Sequence, residues 1–289
     1  MAKIKYVSSQ GVEFNLLSFE YCKLYKADFH KVKWKTETVA QQYGTLVNRF
    51  KKDAISFSCT FRFTGSHDQR KKQIDDFVFQ TEYDICKMVA GRIYWDDQYI
   101  GVFMTDHDCK PVNDGMNWTE VTATFYAPYP FWIEERKIII RPSEGASEGF
   151  PENVIGYPED RDWVYGYEYA YPYAKNAVSL RADSPLESDF KAVIYGPAAL
   201  VQFNVNGHTY KVDYPLRINQ YMVIDTRAVV EFNKRCYVRS SNGSEVNVFN
   251  YRDPSSSLFK KLPSGNFVFS FQRNYGIDLY IFQERSAPK

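Results

Sequence analysis

The sequence predicts a mainly β protein, with an α+β first domain that contains one helix and an all-β second domain. Aromatic residues make up 17% of the chain, with 23 Tyr and 22 Phe, and such residues favour half-buried positions in sheets. Residues 55–63 alternate between apolar and polar side chains, as does a strand with one buried face. From residue 177 onward, short apolar runs are separated by Asn, Gly and Pro turn signals, which is typical of antiparallel sheets.

Length, charge and cysteine content limit the class of protein. The 289 residues suffice for two domains, each with its own core. The formal net charge is only +1, so we expect no binding to nucleic acid or to a membrane. The five cysteines contain no C-x-x-C pair, which predicts free thiols in a reducing compartment. Because about 18 consecutive apolar residues occur nowhere, we expect a soluble chain without an export signal.

The first domain is predicted to begin with one or two strands and a projecting hairpin. Between residues 25 and 50, scattered apolar residues lie among many charged and polar ones, with a turn signal at Tyr43-Gly44. This pattern predicts a long hairpin, or arm, that is polar on both sides. Because an isolated two-stranded hairpin is only marginally stable in water, we expect the arm to pack on another surface.

One amphipathic helix is predicted to follow the strand at residues 55–63. Ser66 and Gln69 have the spacing of a capping box at a helix N-terminus. The apolar face of this helix consists of Ile74, Phe77 and Val78. A β-hairpin is expected next, at residues 93–104.

The segment from Val121 to Glu135 is predicted to be the last strand of the first domain and its exit. Apolar and polar residues alternate as far as Ala127, after which two prolines remove backbone donors and end the ladder. An aromatic cluster follows, which either wedges between two domains or faces a partner chain. Its ring residues are Tyr129, Phe131 and Trp132.

The composition changes after residue 135, which predicts three segments: residues 1–135, 136–175 and 176–289. Residues 136–175 are interpreted as a linker and a Tyr-rich loop. Its rings either pack on one another, or present a stacking surface for sugar or a docking strip for another subunit. Residues 176–289 are predicted to form a sandwich or jelly roll of eight short strands. Two type I′ turns are expected, at Asn206-Gly207 and Asn242-Gly243.

Candidate catalytic residues are few. His107, Asp108 and Cys109 combine three reactive types, but neighbours in a strand point to opposite faces and no second ligand pair lies nearby. The sequence motifs of nucleotide-binding loops, zinc proteases and serine hydrolases do not occur. We therefore expect a protein that is not an enzyme and that has no cofactor, metal or catalytic site.

Several short motifs occur in an order that resembles the distal tail proteins of long-tailed, siphovirus-type bacteriophages of Gram-positive hosts. In the first domain these are Y-G-T-L-V-N-R-F, I-S-F-S-C-T-F-R-F, G-R-I-Y-W-D-D-Q-Y-I and F-Y-A-P-Y-P-F-W-I. In the second they are V-I-Y-G-P, V-I-D-T-R and F-K-K-L-P-S-G-N. Each motif is short, but their order covers nearly the whole chain and makes the resemblance specific.

The resemblance implies a structural hub of the phage tail tip, or baseplate, in the virion. Residues 1–135 would form a hexameric ring, or belt, below the tail tube, and residues 176–289 a galectin-like β-sandwich that projects outward. The ring would join the tail tube protein to a tail-associated lysin or tail fibre protein, and in some phages to a receptor-binding protein. DNA would pass through the ring without being bound, and assembly would take place in the host cytoplasm.

Two functions remain open at this stage. One is the assembly hub, and the other is a carbohydrate-binding module in which the second domain recognises a host cell-wall polysaccharide. For the hub, a closed ring requires two different surfaces that meet head to tail, and we expect the arm to pair with a neighbour's sheet edge. The candidate interface residues are Trp34, Val39, Tyr129, Phe131 and Trp132.

Overall fold

A computed structural model describes residues 3–18, 22–110, 117–141, 177–228, 234–272 and 274–289. Within these ranges the chain is mainly β, with nineteen strands, one α-helix and one short 3-10 helix, so the predicted fold class is confirmed. The chain divides into two compact units. The described residues of the first unit lie within Met1–Glu135 and Glu284–Lys289, and those of the second within Arg136–Ala228 and Phe232–Gln283.

The first unit contains two antiparallel sheets that share one long strand. Its elements are β1 (Ile4–Val7), β2 (Glu13–Asn15), β3 (Cys22–Ala27), β4 (Lys35–Ala40), β5 (Thr45–Lys51), β6 (Ile55–Thr64), α1 (His67–Lys87), β7 (Gly91–Trp95), β8 (Gln98–Cys109), β9 (Trp118–Ala127) and the beginning of β10 (Trp132–Ile140). The first half of β8 pairs with β7 and β10, and its second half pairs with β9. The strand orders are therefore β2-β1-β7-β8-β10 and β3-β6-β9-β8.

Strand β6 and helix α1 confirm the two clearest local patterns. The apolar face of β6 is buried, while residues on its other face remain partly exposed. The Ser66 side chain accepts from the backbone of Gln69, and the Gln69 side chain accepts from the backbone of Ser66, as in a capping box. Phe77 of α1 packs edge-to-face or tilted on rings of the sheet residues Tyr6, Phe14, Phe61 and Phe63. The helix therefore covers the apolar face of the sheets.

The hairpin predicted for residues 25–50 is shorter than expected. Residues up to Ala27 belong to β3, which pairs with β6, because Cys22 supplies a buried side chain to the core at its start. The projecting hairpin is formed by β4 and β5 alone, over residues 35–51.

The second unit is a β-sandwich. Its strands are the end of β10, then β11 (Ala177–Ala182), β12 (Asp189–Tyr195), β13 (Val201–Val205), β14 (His208–Val212), β15 (Gln220–Asp225), β16 (Arg235–Ser240), β17 (Glu245–Asn247), β18 (Gly265–Phe271) and β19 (Ile277–Arg285). One sheet has the order β17-β16-β15-β12-β19-β10 and the other β11-β18-β13-β14. Buried residues of both sheets form a single core, for example Phe190 and Ile281 from one, and Phe203 and Phe269 from the other.

The two predicted type I′ turns differ in the structure. Asn206 and Gly207 both have positive φ, at 46° and 83°, as a type I′ turn requires. At the other turn only Gly243 has positive φ, and the Asn242 side chain instead accepts from the backbone of Ser244 at 3.0 Å. The second type I′ assignment is therefore wrong, because the Asn side chain stabilises a different loop.

Several strand limits also differ from the sequence-based expectation. Residues 136–140, expected to begin the linker, continue β10, since Ile138 and Ile140 are buried in the sandwich core. Strand β15 begins only at Gln220, because Asn219, with φ 63°, makes a turn before it. The Tyr-rich loop lies outside the residues that the structure describes. Residues 284–289, placed by the sequence in the second domain, group with the first unit.

Candidate assembly surface

The arm formed by β4 and β5 makes a two-stranded sheet of its own. Each of these strands pairs only with the other among the described strands. Val39 lies opposite Leu46 across the ladder, and Gly44 makes the turn with φ 81°. A register shift after Glu37 adds a residue to β5 and increases the local twist.

Apolar side chains are exposed on both faces of the arm. Val39 and Leu46, each 51% exposed, share one face near the tip, whereas Val47 and Phe50 lie on the other. Every residue of β4 and β5 is exposed, so no described part of the chain covers the arm. Because contiguous exposed apolar side chains mark interaction surfaces, the arm is the strongest candidate for an assembly contact.

The segment that leads into the arm is anchored in the core of the first unit by Phe29. Phe29 is 4% exposed, and its ring centre lies 5.4 Å from that of Phe57 and 5.4 Å from that of Trp132. Both contacts are edge-to-face, a favoured geometry for aromatic pairs. The segment before the arm is therefore fixed to the core at Phe29.

Three side chains cluster at the base of the arm. Trp34 and Phe131 are edge-to-face, with ring centres 6.4 Å apart. The Lys52 Nζ atom lies 4.5 Å from the centre of the Phe131 ring and 5.7 Å from that of Trp34. These cation–π contacts favour the charged ammonium, but burial disfavours it and lowers the pKa of Lys52 to about 8.

Residues 284–289 lie beside the same base. The Tyr129 hydroxyl donates to Glu284 Oε1 at 2.5 Å, and Lys52 Nζ donates to the Ser286 carbonyl at 3.4 Å. Lys289 Nζ pairs with Glu134 Oε2 at 2.6 Å. These contacts hold Tyr129 and Lys52 in place around the arm's base.

The five predicted interface residues occupy three different environments. Trp34, Phe131 and the half-buried Tyr129 meet at the base of the arm, with Tyr129 and Phe131 ring centres 5.3 Å apart. Val39 lies out on the arm itself. Trp132 is 1% exposed in the core of the first unit and is not part of the surface. Nothing in the sequence indicates that Lys52 belongs to this cluster, because its position near two rings depends on the fold.

The residues His107, Asp108 and Cys109 lie at the end of β8. His107 and Cys109 line a surface groove beside α1, whereas Asp108 faces away. Burial, and then the neighbouring Asp108, raise the pKa of the Cys109 thiol, which lowers its nucleophilicity at neutral pH. Across the described ranges, no group of three His, Cys, Asp or Glu side chains could hold a metal ion. In the same ranges, no helix is both long and apolar enough to cross a membrane.

Neither a protein-family model nor a curated protein matches the chain. Solved structures do match, and they define a class of fold, that of phage baseplate proteins. A chain of the phage P2 baseplate, in its activated conformation with Ca, has a TM-score of 0.64 and 10% identity over 100% of both chains. The same baseplate with Sr matches with the same TM-score, identity and coverage.

A further match is to a particular hub protein. The Dit protein (gp 19.1) of phage SPP1 has a TM-score of 0.60 and 10% identity over 99% of each chain. It is described as a paradigm of the hub adsorption apparatus in phages that infect Gram-positive bacteria. The chain therefore shares its fold with this hub protein, in agreement with the sequence resemblance.

Proposed function

We propose that the chain is the hub of a phage tail tip and that six copies close into a ring through the arm. The observation that carries this proposal is an exposed apolar hairpin on a chain whose fold is similar to that of SPP1 Dit. The ring joins the tail tube protein to a tail-associated lysin or tail fibre protein, and in some phages to a receptor-binding protein. The number six rests on the resemblance.

The arm supplies one of the two surfaces that a closed ring requires. Removing its exposed side chains from water against a neighbouring copy lowers the free energy of the assembly. These side chains are Val39, Leu46 and Phe50. Its partner is an outer strand of the neighbour's first unit, where backbone groups are free to pair. Among the described strands, β2 holds such an outer position, whereas the outer edge of β3 is partly occupied by the Leu17–Lys23 bridge and by a hydrogen bond from the Leu24 backbone N–H to the Leu16 carbonyl at 2.6 Å.

The charge of the chain is compatible with DNA passage. A formal net charge of +1 provides no excess of cations to hold phosphates. DNA therefore crosses the ring as cargo and is not bound as a ligand. It places the protein in the virion, at the tail tip, after assembly in the host cytoplasm.

Light scattering of the 289-residue chain and of charged variants tests the proposal. Val39→Asp and Leu46→Asp each place a carboxylate on the face of the arm near its tip, and each should reduce ring formation without changing the thermal stability of the monomer. Ile218→Asp is the matched control, because Ile218 is an apolar residue of the second unit that is 62% exposed. Rings formed equally well by the arm variants would show that the arm is not the contact. A wild-type chain that stays monomeric, even with the tail tube protein added, would argue against the hub itself.

A further inference from the structure

A groove of about 590 Å³ lies in the first unit between α1 and the second half of β8. One side of α1 gives it an apolar lining, in which Ile74 and Val78 are half-buried and Phe79 is 62% exposed. Thr119 of β9 also lines the groove; it is 2% exposed, and its hydroxyl oxygen has no hydrogen-bond partner among the described residues. The other lining residues are His67, Lys71, Asp75, Glu82, His107 and Cys109.

The groove is bordered by the edge of a strand. Residues 105–109 of β8 are all exposed and pair only with β9 among the described strands. The Lys110 backbone N–H donates to the Glu120 carbonyl at 3.0 Å, so in the same register His107 and Cys109 turn their backbone groups away from β9. The side chains of these two residues line the groove. An added strand could therefore bond to this edge and place alternate side chains in the groove.

The two faces of the arm differ in charge. Cross-strand pairing and alternation along β4 and β5 assign each side chain to a face. The uncharged face consists of Thr36, Thr38, Ala40, Thr45, Val47 and Phe50. The charged face consists of Lys35, Glu37, Val39, Leu46, Arg49 and Lys51. An apolar groove can cover the uncharged face without burying a charge.

The charges outside the groove match those of the arm. Asp106 and Asp108 lie on the face of β8 that points away from the groove, and both are exposed. On the arm, Lys35 and Lys51 pair with Asp53 of their own chain. Arg49, Asp106 and Asp108 form no ion pair within the part of the chain that the structure describes. A β5 strand added to β8 with its uncharged face in the groove brings Arg49 to the side of these two carboxylates.

We propose that the edge of β8 and the groove beside α1 receive the arm of a neighbouring copy, with β5 added to β8 as a further strand. This docking site depends on the proposed function, since a closed ring needs a second surface for the arm. The end of β8 is preferred to β2 because it adjoins an apolar groove and two carboxylates that complement Arg49. Strand β2 is also only 3 residues long, whereas β5 has 7.

Cysteine cross-linking in assembled rings tests the position of the arm, with the native Cys109 as one partner. A Cys86→Ala background removes another exposed thiol. Thr45→Cys, Val47→Cys and Phe50→Cys are then introduced one at a time on the uncharged face. With diamide as oxidant, at least one of them should form a disulfide with Cys109 of the next copy, which requires Cα atoms about 4.4–6.8 Å apart. The expected product is a ladder of covalent oligomers on a non-reducing gel.

Leu46→Cys is the matched control, because it neighbours Val47 along β5 but lies on the charged face. It should give no ladder, and Cys109→Ala should abolish the ladder in every variant. Rings that give no cross-link from the uncharged face, or equal cross-linking from Leu46→Cys, would overturn this docking site and leave the hub standing. A wild-type chain that forms no rings would overturn the proposed function as well, so the two failures are distinguishable.

A charge exchange gives a second readout. Arg49→Glu and Asp108→Arg should each raise the protein concentration needed for half-assembly by about tenfold, because each places like charges together. The combined variant should assemble nearly as the wild type does. Asp213→Arg, at an exposed position of the second unit, should not rescue Arg49→Glu. Losses that simply add in the combined variant would contradict a contact between Arg49 and this edge of β8.

Discussion

The hydroxyl of Tyr6 on β1 donates a hydrogen bond to the Asp84 carboxylate near the end of α1. The other oxygen of Asp84 accepts from the Ser9 backbone N–H at 2.9 Å and from the Ser9 hydroxyl at 2.6 Å. Tyr6 and Asp84 both have no exposed surface, so this network compensates for the burial of a carboxylate. It joins the first strand to the helix within the core of the first unit.

Tyr6→Phe should destabilise the protein by about 1–3 kcal/mol, because it removes a hydrogen bond to a buried carboxylate. The free energy of unfolding in urea measures this loss. Tyr25→Phe is the matched control, since Tyr25 is 61% exposed and surface changes usually stay within about 0.5 kcal/mol. Similar losses in both variants would show that the network contributes little.

Gly91→Ala should disrupt the same network. A Cβ atom at residue 91 would lie 2.1 Å from the Tyr6 hydroxyl oxygen and 2.6 Å from Asp84 Oδ2. Such overpacking usually costs about 1–3 kcal/mol, measured by thermal or urea unfolding. Gly101→Ala, whose Cβ would meet only Ala90 at 3.7 Å, is the control. In a Tyr6→Phe background the cost of Gly91→Ala should be smaller, and strictly additive losses would contradict the shared contact.

The stability of the wild type should rise with pH between 8 and 10.5, relative to Lys52→Met. Burial lowers the pKa of Lys52 from 10.5 to about 8, so in this window the unfolded chain binds more protons than the folded chain. Stability therefore increases as pH rises through the window. Urea midpoints measured from pH 8 to about pH 9, where ordinary tyrosines are still mostly neutral, test this expectation. Lys33→Met changes an exposed lysine of the same segment and should leave the pH dependence of the unfolding free energy as in the wild type. If the difference in unfolding free energy between the wild type and Lys52→Met did not change with pH, the expectation would be wrong.

Cys59→Ala should cost on the order of 1 kcal/mol through the small cavity that it leaves, and should leave assembly intact. Cys59 is 1% exposed on the apolar face of β6, and burial raises the pKa of its thiol, so it behaves as a small apolar residue. Urea unfolding and light scattering give the two readouts. Cys86→Ala, at an exposed position, should change neither. A Cys59→Ala variant that loses ring formation but keeps its stability would contradict this prediction.

Local features of the fold could be predicted where neighbouring residues decide the outcome. The alternation at residues 55–63, the capping box at Ser66 and the positive φ at Asn206-Gly207 all depend on side chains within a few positions. The exposed arm could also be recognised, because its sequence lacks a continuous apolar face. The beginning of the arm is not predictable in the same way, since β3 pairs with β6, and the paired residues are separated by 41 positions at Cys22–Phe63 and 32 at Ala27–Cys59.

By itself, the sequence determined the mainly β class, the single helix and the resemblance to distal tail proteins. Only the tertiary structure decided that Trp132 lies in the core while its neighbour Phe131 meets Trp34 at the base of the arm. The contacts of Asp84 with Tyr6 and of Tyr275 with Gln202 span 78 and 73 residues. Such contacts depend on which faces the fold brings together, and residue patterns within one strand or helix do not contain that information.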